Sequence, residues 1–457
     1  MTPVLPESGS ATWDEQDLLK RLCHALDIAR LAVEHLAANG YTDLQDPSKN
    51  IRPEKIISET AVLLLAASPA MTHAEVETRI RNVAELLNPH ARSERALLGL
   101  CLEPAVAWDY ALPHVCLNRI DYPDYEFDKL LSAALDSQAK HSRERVPHRV
   151  LEQEWVATGW YQPKPGRRQT CPPAARRSIA AESMDLLSCT RDDIYAFTHA
   201  LMYVTDFNLV PALLPRRRGL ILAEAEALLA HCLDEQDYDL SGEVLLSWPL
   251  TGRTWNAASA FAFRVLANVE DKAGFLPTPS TRISEIRARE GAARTQYLLA
   301  TAYHTAYVMG LLCAASLKAG YAPPSAIPIA GAKAGSAKQL LRFLDAGGEC
   351  PHWREEFRQL NSLEADALAG FLLCIALRRR VKKRDFGGLR DQLKLAYDLD
   401  LADSPAASQA AELLQRLAVY VKGRGQDSET PAHSFATSRS QRIIPDSNSE
   451  DQPPAGL

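Results

Sequence analysis

Tyr110, His114 and Asp121 follow one another as Tyr-x3-His-x6-Asp, and Tyr195, His199 and Asp206 repeat that spacing. Imidazole is the usual acid or base near neutral pH, and a carboxylate orients it or raises its pKa. A phenol adds a proton donor. Two His and two Asp are also enough ligands for a divalent metal, if they converge. On a helix, steps of four and seven return to nearly one face, so each segment presents the three groups along a stripe. Each Asp lies two turns from its His, about 10 Å along a helix, so any pairing has to cross between helices. The alternative is structural: each Asp caps a helix and each His is a satisfied core residue.

A second candidate is His304 in ATAYHTAYVMGLL, flanked by Tyr303 and Tyr307. If the helices close into a ring, His114, His199 and His304 line one central cavity. A third is Asp237-Tyr-Asp239-Leu-Ser-Gly-Glu243. There Asp239 reads as an N-cap with Glu243 in the first turn, and a carboxylate ligand set or glycosidase-like acid pair is the sharper alternative. Trp248, Trp255 and Phe261 read as core. Ser93 is a plausible N-cap, and Arg92 or Arg95 is placed to meet either an anionic substrate or a surface carboxylate.

The elements that must position these groups are helices. Apolar residues recur with helical period from Asp14, a candidate N-cap, almost to the C-terminal tail, and no run alternates as a strand would. Asn39-Gly40 is a C-cap signal. Residues 1–12 are expected to be flexible, 13–159 to form a first helical half and 176–423 a second. Residues 160–175, WYQPKPGRRQTCPPAA, form a proline-rich linker or surface loop, with a lid over a site as the sharper reading. Residues 424–457 are polar and expected to be disordered.

Helical runs end repeatedly in a turn-forming residue followed by an aromatic ring: Gly40-Tyr41, Asp121-Tyr122, Asp206-Phe207, Gly274-Phe275 and Gly320-Tyr321. The uneven intervals suit paired helices with variable loops better than tightly periodic arrays. The fold class expected is all-α, with paired helices in an α/α toroid or incomplete ring; an open α-solenoid is the alternative.

The Gly-aromatic turns, DKAGFLPTP above all, resemble those of the α/α toroids of terpene cyclases, alginate lyases and lanthipeptide cyclases. More narrowly, NPHARSERALLGLC, WDYALPHVCLNRIDYP, DIYAFTHALMYVTDF, DYDLSGEVLLSWPL and YHTAYVMGLLCAASL resemble an uncharacterised all-helical family found mainly in actinobacteria, over roughly residues 15–420. That family implies a fold and no activity. The Asp-x-Asp-Asp acid of terpene cyclases is missing, as are the Cys-His-Gly and Trp-Cys-Tyr-Gly strings with which lanthipeptide cyclases hold zinc. Asp398-Leu-Asp400 is a loose echo of the first.

Composition narrows the function further. A net charge of -6 argues against a general nucleic-acid binder. The basic run from Arg378 to Arg384 reads as a solvated helix end, or as an anion contact. Nine cysteines at irregular spacings leave at least one unpaired, and most sit in apolar runs. No signal peptide and no membrane span are expected, so the location expected is cytoplasmic. Gly-rich phosphate loops and serine nucleophile elbows are absent. Two functions remain. One is an enzyme of bacterial specialised metabolism acting on a small molecule or peptide, by lyase, cyclase or hydrolase chemistry, with a divalent metal as a possible cofactor. The other is a non-catalytic helical-repeat binding or scaffold protein.

Overall fold

The computed structural model describes residues 13–36, 52–162, 170–209, 213–329, 331, 333–344 and 351–427. The expectations for residues 1–12, for Asn39-Gly40 and for most of the tail lie outside these. The fold is all-α, and no strand occurs among the described residues. The first helices are α1 (Glu15–Glu34), α2 (Pro53–Ala67), α3 (Ala74–Ala91), α4 (Glu94–Leu102), α5 (Ala107–Arg119), α6 (Tyr125–Leu135) and α7 (Pro147–Tyr161). There follow α8 (Arg191–Val204), α9 (Arg218–Asp234), α10 (Tyr238–Leu245), α11 (Ser247–Thr251), α12 (Ala257–Ala273), α13 (Ile283–Arg287) and α14 (Gly291–Ser316). The last are α15 (Ser336–Leu341), α16 (His352–Phe357), α17 (Ser362–Ala367), α18 (Ala369–Lys382), α19 (Phe386–Asp398) and α20 (Pro405–Asp427).

Local chemistry sets these boundaries. Asp14 caps α1 by accepting from the Asp17 N–H at 2.7 Å, and Ser93 caps α4. The apolar run from Ser93 to Leu117 reads as one helix by pattern, but Pro104 cannot donate into the ladder. The chain breaks there into α4, a short 3-10 turn and α5. Four of the turn-aromatic signals coincide with left-handed backbone: φ is 71° at Asp121, 47° at Asp206, 81° at Gly274 and 85° at Gly320. A left-handed residue closes a helix C-terminus, and glycine does so without steric penalty. After Asp206, the Phe207 ring packs back on Tyr203 of the helix just finished, with centroids 6.1 Å apart.

One compact unit spans residues 1–412, and the helices on both sides of residues 160–175 belong to it. Within it α14 is the hub: α1, α2 and α10 pack against it, and α8 packs against α7 and α10. Trp248, Trp255 and Phe261 are buried as expected. A second unit begins at Leu413, and its described residues, to Asp427, are the remainder of α20.

Two helical segments, Pro53–Thr72 and Gly291–Ser316, are long and apolar enough to cross a membrane by length and composition. Most of each is buried within the protein, which accounts for its apolarity.

The crossing of α14 with α1 and α2 depends on Gly310. A Cβ at this position would lie 2.6 Å from the Ala25 Cβ and 3.1 Å from the Leu63 Cδ1. Alanine would gain about 0.5–1 kcal/mol of helix propensity, but overpacking costs about 1–3 kcal/mol. Gly310→Ala is therefore expected to lower the urea midpoint of unfolding; an unchanged or raised midpoint would show that the helices separate freely.

The basic run ties helices together. Arg379 pairs with Asp234 at 2.6 Å, Lys382 with Glu235 at 2.8 Å and Arg380 with Asp385 at 2.6 Å. Arg378 donates to the carbonyls of Leu186 and Cys189 at 2.7 and 2.6 Å. Each of these four cations has a partner within the protein.

Candidate functional site

Four helices bring ionisable groups to one place. Glu59 comes from α2, Thr198 and His199 from α8, Asp239 and Glu243 from α10, and Tyr303 and His304 from α14. Asp239 and Glu243 share a face because they are four residues apart on a helix. The helix starts earlier than its sequence suggests. Asp237, not Asp239, is the N-cap, accepting from the Leu240 N–H at 3.1 Å. Gln236 takes a left-handed φ of 56°, and the chain enters the helix at Tyr238. Asp239 then lies inside the first turn with its side chain free of capping.

His304 is the centre of the cluster. Its Nδ1 is 3.0 Å from Glu59 Oε2, to which the Tyr303 hydroxyl donates at 2.6 Å. Its Nε2 faces Asp239 Oδ1 at 3.2 Å and Glu243 Oε1 at 3.6 Å. The second oxygens of these acids are anchored elsewhere. Arg191 donates to Asp239 Oδ2 at 2.7 Å, and the Thr198 hydroxyl donates to Glu243 Oε2 at 2.6 Å. Asp239 Oδ1 is inaccessible to solvent and has no hydrogen-bond partner among the described residues. Asp239 Oδ1, Glu243 Oε1 and His304 Nε2 thus share one spot, with one ligand atom from each residue and all three atoms within 4.8 Å of one another.

His199 borders the cluster. Its Nδ1 bonds the Tyr195 carbonyl of its own helix at 3.1 Å and lies 3.6 Å from Glu243 Oε2. Its ring stacks against Tyr195 with centroids 3.7 Å apart. Lys55, beside Glu59, and Arg191, beside Asp239, are each more than half exposed, so the cluster reaches solvent at both edges.

The electrostatics follow from this packing. Burial favours the neutral form of every acid here. It would raise Glu59, but His304 and Lys55 hold that carboxyl down to about 2. Glu243 is likewise driven well below the carboxylate range, against burial, by His199 and His304. Burial would lower His304, and Glu59, Asp239 and Glu243 overturn that and raise it well above an ordinary histidine. Asp239 is the exception. Burial raises it, His304 offsets this only in part, and the Glu243 charge adds to the rise. Burial also raises the Tyr195 phenol, which stays protonated.

The repeated sequence motif is distributed differently. His114 is fully buried and stacked on Phe127 at 4.2 Å, with Arg92 Nε donating to its Nδ1 at 3.1 Å and its Nε2 2.9 Å from Asp128 Oδ1. Both ring nitrogens are spoken for by residues outside the His304 cluster, so the three histidines are not one constellation. Burial first, and Arg92 in addition, lower the pKa of this imidazole. Arg92 is thereby a core residue, not an anion receptor, and Arg95 pairs with Glu54. Tyr110 donates to Glu103 at 3.0 Å. Asp121 is an exposed turn residue. Asp206 accepts two bonds from Arg119, at 2.8 and 2.6 Å, and one from Trp155 Nε1 at 2.6 Å. Neither Asp orients a His of its own segment.

Of the residues singled out in the sequence, His304 with Tyr303, the Asp239 and Glu243 carboxylates, and His199 with Tyr195 at its edge belong to the cluster. Glu59 was missed. It lies in KIISETAVLLLAA, where one acid amid a long apolar stretch is the signal that could have exposed it.

A family model settles what kind of chain carries this cluster. It is the one described as Domain of unknown function (DUF6895), and it matches residues 22–314. The chain belongs to the DUF6895 family. The matched region is shorter than the roughly 15–420 of the sequence resemblance, and it contains all of Glu59, Thr198, His199, Asp239, Glu243, Tyr303 and His304. The site therefore lies within the region matched by the DUF6895 model. No match was found among curated proteins or among solved structures.

Proposed function

We propose that this protein is an enzyme acting on a small molecule or modified peptide, and that the cluster around His304 is its reacting centre. The observation that carries this is Asp239 Oδ1: a buried carboxylate oxygen without a hydrogen bond, facing His304 Nε2 at 3.2 Å beside a second carboxylate. A buried carboxylate oxygen left without a hydrogen bond costs stability, and such expense is characteristic of working sites. His199 and Tyr195 are the proton-bearing groups at the edge, placed to give or take a proton from a molecule held over the convergent atoms. Lyase, cyclase or hydrolase chemistry suits these groups.

We place the activity in bacterial specialised metabolism and in the cytoplasm. The eight cysteines among the described residues are all free, which suits a reducing compartment. Paired helices closing into a toroid or incomplete ring remain our reading of the architecture, supported by the left-handed residues that end α12 at Gly274 and precede Phe207 and Tyr122.

A non-catalytic binding protein is favoured by one observation, the bond of His199 to the carbonyl of its own helix. One experiment separates the two. The full chain is incubated with a small-molecule extract of the cells that make it, and masses are followed over time. Enzymatic action predicts that one mass is depleted by far more than one equivalent of protein while another rises, with neither change in the Asp239→Asn protein. Retention of about one equivalent without any new mass would establish binding alone.

A further inference from the structure

We propose that Asp239 Oδ1, Glu243 Oε1 and His304 Nε2 are the ligands of one divalent cation. Donor atoms that share a cation at about 2.1 Å lie roughly 3.0–3.4 Å apart. Two of the contacts here are 3.2 and 3.6 Å, and all three atoms fall within 4.8 Å of one another. Small rotations of the side chains complete the fit.

The surrounding bonds carry the argument further. Each of the three residues has two polar atoms. In every case one is held by a neighbour and the other is directed at the common point. His304 Nδ1 is held by Glu59, Asp239 Oδ2 by Arg191 and Glu243 Oε2 by Thr198. Tyr303 in turn holds Glu59. A carboxylate on the far nitrogen of a liganding imidazole fixes its tautomer and increases its basicity, and anchored carboxylates are the usual surroundings of a metal. With Nδ1–H given to Glu59, the cation would take the place of the proton on Nε2, which is released to solvent. Asp239 Oδ1, buried and without a hydrogen bond among the described residues, would then be bonded to the cation.

The donor set defines the class of ion. One imidazole and two carboxylate oxygens suit Zn2+, Mn2+ or Fe2+, and offer nothing to a metal that needs thiolates. Three protein ligands leave positions open for water or substrate, as catalytic centres do and closed structural sites do not. What the ion does there rests on the enzymatic role proposed above: it would polarise a substrate oxygen or activate a bound water.

The test uses the full chain freed of metal with a chelator and titrated calorimetrically with Zn2+ and, separately, Mn2+. One equivalent is expected to bind. Asp239→Asn and Glu243→Gln should each weaken binding by on the order of 100-fold, and Glu59→Gln by about 10- to 100-fold. His141→Ala, an exposed control, should leave it unchanged. The zinc-edge absorption spectrum of the wild-type complex should show nitrogen and oxygen neighbours including an imidazole. That measurement stands even if a variant fails to fold. Sulfur neighbours, no stoichiometric binding, or an unaltered affinity in Asp239→Asn would overturn the cation. Turnover of an extract component that persists in chelator would also overturn it, and would leave the enzymatic reading standing.

Discussion

Asp206→Asn is expected to destabilise the protein by about 3–5 kcal/mol, the range for breaking a buried ion pair by removing one partner. Arg119 and Asp206 are both nearly inaccessible, with side chains 4% and 8% exposed. Arg119 reaches across from α5 and donates two bonds to the carboxylate, which also takes the Trp155 indole N–H. Replacing the acid with an amide leaves a guanidinium buried without its counter-charge. Asp206 also sits at φ 47°, a conformation unfavourable for a side-chain-bearing residue, and these bonds hold it there. Urea denaturation should show the loss. The double variant Arg119→Met/Asp206→Leu should recover much of it, because two apolar groups leave no orphaned charge. A single variant as stable as wild type would mean that the pair contributes nothing.

Asp239→Asn should do the reverse. Turnover is expected to fall by on the order of 100- to 10,000-fold, as when a positioned acid–base or charge-stabilising group is removed, while the fold survives. Burial and Glu243 together hold the Asp239 carboxyl above its ordinary range. For an acid whose folded-state pKa lies above its unfolded value, the sign is definite. Its contribution is favourable at pH below the unfolded value and is lost as pH rises through the folded value, so at neutral pH the charge is a burden. Asparagine removes that charge and can still accept from Arg191. Retained turnover in this variant would remove Asp239 from the chemistry.

The fold class was legible because nearly every apolar run has helical period and the interrupting residues are good punctuation. Asp14 and Ser93 cap the helices they precede, and the left-handed turns at Asp121, Asp206, Gly274 and Gly320 fall where a small or polar residue meets an aromatic one. The break at Pro104 was hidden by continuous apolar pattern on both sides of it. The site was legible only in part. The duplicated Tyr-His-Asp spacing is real in sequence, but equal spacing fixes only the face on which groups lie, not what the facing helix supplies. Asp128 and Arg92 enclose His114, whereas Glu243 stands beside His199. Glu59 and His304 are more than 240 positions apart, and only the packing of α2 on α14 joins them. Asp239 was seen but read as a cap, because a shift of two residues in the helix start decides whether an acid closes the helix or faces inward.

The central claim is that the cluster around His304 is kept for work and not for stability. The most direct measurement is the melting temperature of chelator-treated wild type and Asp239→Asn, side by side at neutral pH, since bound metal would itself stabilise the wild type. Equal melting, or a higher value for Asp239→Asn, is the predicted result, as expected where a protein gives up stability at a functional site. A fall comparable to that of Asp206→Asn would show the carboxylate to be a structural ion-pair member and would contradict the account.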